Sequence, residues 1–141
     1  RDRYLPFQFY PLREHARVLA NTAAAVYPKL PIRQGLRKLG RGAPHAFAGS
    51  TLGRVLLQAA QGVEEVVGAL AKGYELTLNP GRALVEARGP RCLDVILEDV
   101  HYFVDCHHVG AFEGAIKYAN AQGRVRLQRI SAAQAVLRLE W

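Results

Sequence analysis

The densest set of side chains able to do chemistry is the run Cys106, His107 and His108, with His101 upstream and Glu113 downstream. Imidazole, thiolate and carboxylate are the groups that hold zinc, in sets of three or four that converge on one point. Spacing opposes that use. Adjacent residues on a helix point about 100° apart, so His107 and His108 meet on one ion only from an irregular helix start, and no second Cys/His group lies nearby. A haem needs one axial histidine, which any of the five histidines supplies in principle. Cys106 near a helix start is also where unpaired N–H groups favour a thiolate, with His107 beside it as a base. Sequence neighbours rarely face each other on a helix, however, and no orienting third residue or glycine-rich oxyanion turn accompanies them. These residues read as polar packing at a helix start. No catalytic constellation, metal site or cofactor is expected.

Two further groups remain. Gly110 and Gly114 stand four apart, the spacing that lets another backbone approach a helix closely, and Tyr102, Phe103, Phe112 and Tyr118 bracket them with material for an apolar pocket wall. The candidate ligand-binding set is therefore Tyr102, Cys106, His107, Phe112 and Ile116, with His107 as the polar handle. Arg33, Arg37 and Arg41 recur at i, i+4 and i+8 with Arg17, Lys29, Lys38 and Arg54 around them, a basic face suited to an acidic protein partner. Nucleic acid is disfavoured, since no zinc finger, RNA-binding sheet motif or helix-turn-helix pattern accompanies that face. Neither a Walker loop nor G-x-G-x-x-G is present.

The elements that must position these residues follow from charge and periodicity. Of a formal net charge of +7 in 141 residues, Arg1 to Arg54 carry ten Lys/Arg against Asp2 and Glu14, while the remainder is close to neutral. Half the residues are hydrophobic, enough for one core without a disulfide framework, and two cysteines fit a reducing, cytoplasmic setting. No apolar run approaches the roughly 20 residues of a membrane span. The chain starts at Arg1 and contains no Met, which reads as a piece of a slightly longer protein.

An aromatic, proline-punctuated arm over residues 1–11 precedes a helical layer over 12–73. Leu19, Thr22, Ala23 and Val26 mark one helix from Leu12 to Tyr27, and Pro31 opens a second that closes at Gly40 and Gly42. Ser50 or Thr51 caps a third carrying Leu52, Val55 and Leu56, and Gly62 separates it from a stripe of Val63, Val66, Val67 and Leu70. After Gly73 the period changes to two. Residues 74–141 read as strands at 82–88 and 92–100, a glycine-containing helix from Cys106, and strands at 124–130 and 135–141. The expected fold is a single α+β domain, an N-terminal helical layer packed on a twisted antiparallel sheet of two hairpins with the glycine-bearing helix between them.

The ordered string YPLREHARVLANTAAAVYPKLPIRQGLRKLG, STLGRVLLQ, HHVGAFEGAIKYANAQG and RVRLQRISAAQAVLRLEW resembles a myxobacterial family of uncharacterised paralogous proteins, a domain of unknown function, over Tyr10 to Trp141. That family is in turn similar to the ligand-binding superfamily of the four-vinyl-reductase domain, the haem–nitric-oxide domain and the TRAPP subunits, through the helix Gly110–Ala121 and its two-strand finish. The resemblance implies an α+β fold, often dimeric, that holds a small apolar molecule, a haem or an acyl chain. The Tyr-x-Ser-x-Arg signature of the haem-binding relatives is missing, and Arg124 to Trp141 lacks the cysteines of the zinc-bearing ones, so neither haem nor metal carries over. The function expected is a non-enzymatic sensory or scaffold domain, cytoplasmic and homodimeric, with a small apolar or amphipathic ligand between helices and sheet. The alternative is a protein-interaction module acting through the basic face.

Overall fold

The computed structural model describes residues 10–141. The arm expected over residues 1–11 therefore lies outside the described residues, apart from Tyr10 and Pro11. Four helices come first: α1 (Leu12–Val26), α2 (Ile32–Gly49), α3 (Thr51–Leu57) and α4 (Gly62–Thr77). Pro11 and Pro31 stand immediately before α1 and α2 with extended ψ angles, where the missing N–H costs nothing. Ser50 caps α3, its hydroxyl oxygen accepting from the Gly53 amide at 2.9 Å. Strands β1 (Arg82–Gly89) and β2 (Cys92–Glu98) follow, then a π-helical turn at Val104–His108 that runs into α5 (Val109–Tyr118), then β3 (Arg124–Arg129) and β4 (Gln134–Glu140). Among the described residues no helix is long and apolar enough to cross a membrane.

The strands form one antiparallel sheet in the order β1-β2-β4-β3, the two expected hairpins joined through β2 and β4. Register places Leu93 opposite Leu139, Val95 opposite Leu137 and Leu97 opposite Ala135, all buried on the inner face. Against that face pack Val63, Val66, Val67 and Leu70 of α4 with Val109, Phe112, Ala115 and Ile116 of α5. Helices α1 and α2 lie beyond α5, so the α+β architecture read from the sequence is present with its helices stacked in two tiers. On the outer face the Asp94 carboxylate is covered by two arginines. Arg138 donates to both its oxygens at 2.8 Å and Arg88 to one at 2.7 Å, which holds Asp94 down at about 2.

Three boundaries differ from the sequence expectation. Helix α2 does not close at Gly40 and Gly42 but continues through Pro44 to Gly49, and α4 does not give way to a strand at Gly73 but extends to Thr77. The third difference is the start of the last helix. Phe103 adopts a left-handed conformation (φ 50°), and its carbonyl accepts from the amide of His108, five residues on, which makes the first turn π-helical.

Gly40 and the pair Gly110 and Gly114 explain the first difference. A Cβ built at Gly40 would lie 2.1 Å from the His107 carbonyl oxygen, one at Gly110 would lie 2.2 Å from that of Arg37, and one at Gly114 would lie 2.3 Å from that of Arg41. Helices α2 and α5 thus cross backbone to backbone, and these glycines serve the crossing rather than a helix stop. In an open helix position, Gly to Ala gains up to about 1 kcal/mol; at a filled one, added volume costs about 1–3 kcal/mol. Gly110→Ala and Gly114→Ala should therefore each lower stability to urea by about 2 kcal/mol. Gly68→Ala in α4, whose Cβ would meet nothing within 4 Å, should raise it slightly. Gains at all three positions would refute the close crossing.

Candidate functional site

The π-helical turn decides where the two adjacent histidines go. The widened turn takes both imidazoles inward: His107 is 8% exposed and His108 2%, with ring centroids 5.1 Å apart and planes nearly perpendicular. They wall a cavity of about 210 Å³. Helix α2 contributes Ala43, Pro44 and Phe47, and α4 contributes Leu70, Gly73, Tyr74 and Thr77. His15 of α1, Leu78, Tyr102 and Ala111 complete the wall. No strand residue is among them, so the space lies between helices and not, as expected, between helices and sheet.

Most of the polar groups on this wall are already engaged. The Thr77 hydroxyl donates to the Gly73 carbonyl at 2.6 Å, Tyr102 Oη is 2.6 Å from His15 Nδ1, and Tyr74 Oη is 2.6 Å from His108 Nδ1. Among the described residues, the enclosed Nδ1 of His107 and Nε2 of His108 make no well-formed hydrogen bond, the Tyr102 backbone interacting with the His108 ring. Burial, reinforced by His15, pushes His107 down to about 4. His108 is driven well below 6.5 by burial and by its histidine neighbours, and His15 is also lowered by burial. The phenols move the other way. Burial pushes Tyr102 up to about 12 and raises Tyr74 further. At neutral pH the wall is therefore uncharged.

Of the residues read from the sequence as a ligand site, Tyr102 and His107 line the cavity and three do not. Cys106 turns to the other side, into a cluster with Ala23 and Leu36, where its thiol donates weakly to the Phe103 carbonyl at 3.7 Å. Burial raises that thiol against the opposing pull of the His107 backbone and of Arg33 and Arg37, the reverse of an activated nucleophile. Phe112 lies fully buried behind Tyr74, ring centroids 5.8 Å apart, and Ile116 belongs to the core over the sheet. The metal-capable residues do not converge: no group of three or more His, Cys, Asp or Glu side chains suited to an ion occurs among the described residues.

Sequence reasoning missed His15, Tyr74 and His108 as wall residues. Tyr74 had a signal, since it stands four residues beyond Leu70 on the same apolar stripe of α4.

The basic face has a partner inside the chain. Arg33 pairs with Asp105 and Arg37 with both oxygens of Glu113, which also accepts from Arg41 Nε at 2.8 Å. Burial works to raise Glu113, but the hydrogen bonds from Arg37 and Arg41 outweigh it and hold the carboxyl low. Arg33, Arg37 and Arg41 thus brace α2 against α5 and the turn before it.

The buried imidazoles make stability depend on pH. In the unfolded chain they gain protons below about 6.5, whereas in the folded chain His107 resists protonation down to about 4. Stability is therefore full above pH 6.5 and falls as pH drops toward 4. Asp94 and Glu113, both held below the usual carboxylate range by their arginines, keep their contributions nearly whole between pH 7 and pH 5. Between pH 7 and pH 5 His107 alone should remove about 2 kcal/mol, with His108 adding in the same direction. Urea unfolding at the two pH values measures this, and His107→Asn should flatten the slope. Equal stability at pH 7 and pH 5 would contradict the buried, neutral assignment.

Solved structures that share this fold include H-NOX proteins. An Fe(II) unliganded H-NOX protein from K. algicida aligns over 98% of this chain and 77% of its own, at 14% identity and a TM-score of 0.70. An oxygen-binding H-NOX domain related to soluble guanylate cyclases gives 99% and 77%, 15% identity and 0.70. An H-NOX structure from a study of haem distortion gives 99% and 77%, 16% and 0.68. The likeness is one of fold. No curated protein matches the chain. A family profile matches all of residues 1–141, and on that match the chain belongs to the family described as protein of unknown function (DUF2378).

Proposed function

We propose that this domain is a non-catalytic sensory module that holds one small apolar or amphipathic molecule in the helix-walled cavity. The observation that carries the reading is the cavity itself: about 210 Å³, mostly apolar, and bordered by the buried rings of His107 and His108. A concave, mostly apolar wall with a few polar groups is how small molecules are held. The shared fold supports the sensory part, because one of the H-NOX proteins it resembles is described as oxygen-binding.

Haem, the group that this fold suggests, does not fit the residues present. His107 and His108 border the cavity as an axial histidine would, although Nδ1 of His107 and Nε2 of His108 are enclosed by protein. The cavity, however, is below the roughly 300–1,000 Å³ of pockets for drug-sized ligands, a class that a haem with two propionates exceeds or fills. No Lys or Arg lines it to meet a propionate, and the Tyr-x-Ser-x-Arg string is absent from the chain.

Ethylbenzene is a suitable first probe, being one ring with a short tail. In two-dimensional NMR it should shift the amides of Leu70, Tyr74, His108 and Ala111, and Ala43→Phe, which places a ring in the cavity from α2, should abolish those shifts. Unperturbed spectra at saturating ethylbenzene would overturn the reading.

A further inference from the structure

We propose that the outer face of the sheet is where two copies of this chain meet, face to face, about a twofold axis that runs along the strands between β2 and β4. No residue of that face lines the cavity, so the proposal stands independently of the ligand-binding reading.

The register of the strands arranges the outward side chains in rows. Arg82, Glu98 and Gln134 form one row; Leu84, Ile96, Val136 and Gln128 form the next; Glu86, Asp94, Arg138 and Arg126 form the third. An antiparallel sheet with one solvated face keeps apolar residues on the inside and polar ones on the outside. The middle row breaks that rule on three adjacent strands. None of Leu84, Ile96 and Val136 joins the core that α4 and α5 build on the inner face, and Leu84 is 40% exposed. Side chains directly opposite each other on paired strands lie about 5 Å apart, so these three make one continuous apolar strip across β1, β2 and β4.

The charges beside the strip identify what covers it. In the third row the residues on β1 and β2 are acidic, Glu86 and Asp94, and those on β4 and β3 are basic, Arg138 and Arg126. A half-turn about an axis between β2 and β4 exchanges β1 with β3 and β2 with β4, and so lays this row on its own complement. Asp94 is already covered within the chain by Arg138 and Arg88, which leaves Glu86 facing the partner's Arg126 as the new ion pair, formed twice. Both residues are exposed and only partly engaged. Glu86 shares Arg88 with Asp94, and Arg126 lies 3.9 Å from Glu140, whose carboxylate Arg124 already holds at 2.6 Å.

The same half-turn sets Ile96 on the partner's Val136 and Leu84 on the stem of the partner's Gln128, while Glu98 meets the neutral Gln134. Like charges meet only at the rim, where Arg88 faces the partner's Arg124, each beside carboxylates of its own chain. An axis at right angles, along the apolar row, would put Glu98 over the partner's Asp94. Charge therefore selects the axis along the strands, which is also the aligned geometry in which two sheets commonly pack. Four strands of six to eight residues present a face about 20 Å on a side, at the small end of protein interfaces, where association is weak and reversible.

Sedimentation velocity from about 20 µM to about 1 mM, the range suited to so small an interface, reads the association directly. The unmodified chain should pass from monomer to a monomer–dimer mixture. Glu86→Arg and Arg126→Glu each set like charges against one another at both symmetry-related pairs, and each should weaken association about tenfold or more. Mixing the two single variants should restore it, because one copy then carries arginine at both positions and the other glutamate at both. The double variant Glu86→Arg/Arg126→Glu, in which every pair is reversed, should associate like the unmodified chain. Both positions are exposed, and urea unfolding of each variant checks that it remains folded. A chain that stays monomeric at about 1 mM would overturn the proposal, as would association that neither single reversal weakens, which places the contact elsewhere. Loss in the single variants without recovery on mixing would overturn the twofold arrangement and the proposal with it.

Discussion

Everything distinctive in this molecule depends on two helices meeting without side chains between them. Where α2 crosses α5, the carbonyls of Arg37 and Arg41 occupy the space that Cβ atoms at Gly110 and Gly114 would need, and the His107 carbonyl occupies that of Gly40. A contact this close fixes the axial position of one helix on the other. The arginine side chains continue from the same residues of α2 to Glu113, adding a charged brace beside the backbone contact. Exposed pairs of this kind are individually weak, so the glycines set the geometry and the arginines select the register.

The π-helical turn is the consequence that bears on function. It sits at the start of α5, directly against Gly40, so the helix must accommodate α2 within its first residues. Widening the turn sends Cys106 toward α1 and α2, and His107 and His108 toward α4. The two histidines are thereby carried into an apolar space that leaves them uncharged, where the Tyr74 phenol hydrogen-bonds His108 while that of Tyr102 pairs with His15 instead. Buried imidazoles held this way lower the stability of the fold under acid and give no return in packing that an apolar residue would not match.

Much of the architecture is legible in the residues. The alternation through Leu93, Val95 and Leu97 and through Leu137 and Leu139 specifies two strands with one buried face, and Gly110 and Gly114 announce a close approach to α5. What approaches is not legible: Gly40 and Gly42 look like helix terminators until α5 is seen to need the space over Gly40. The site is less readable than the fold. A five-residue turn breaks the 3.6-residue period by which the inward face of a helix is read, so Cys106 and His107, neighbours in sequence, end up on opposite sides. Tyr102 and His107 reach the cavity as the sequence suggests, whereas Phe112 and Ile116 fill the core and His15 enters from a helix nearly 90 residues away. The basic face has the same history: Arg33, Arg37 and Arg41 form the stripe their spacing implies, but Asp105 and Glu113 lie too far along the chain for sequence to pair them.

The central claim is that α2, α4 and α5 enclose an open, mostly apolar space beside His107 and His108. Crystallography under xenon pressure tests it most directly, because xenon enters apolar cavities of this size without needing a particular polar partner. The account predicts a xenon peak among Phe47, Leu70 and Ala111, within contact of the His108 ring. Crystals that take up xenon elsewhere and show this space closed by side chains would contradict it.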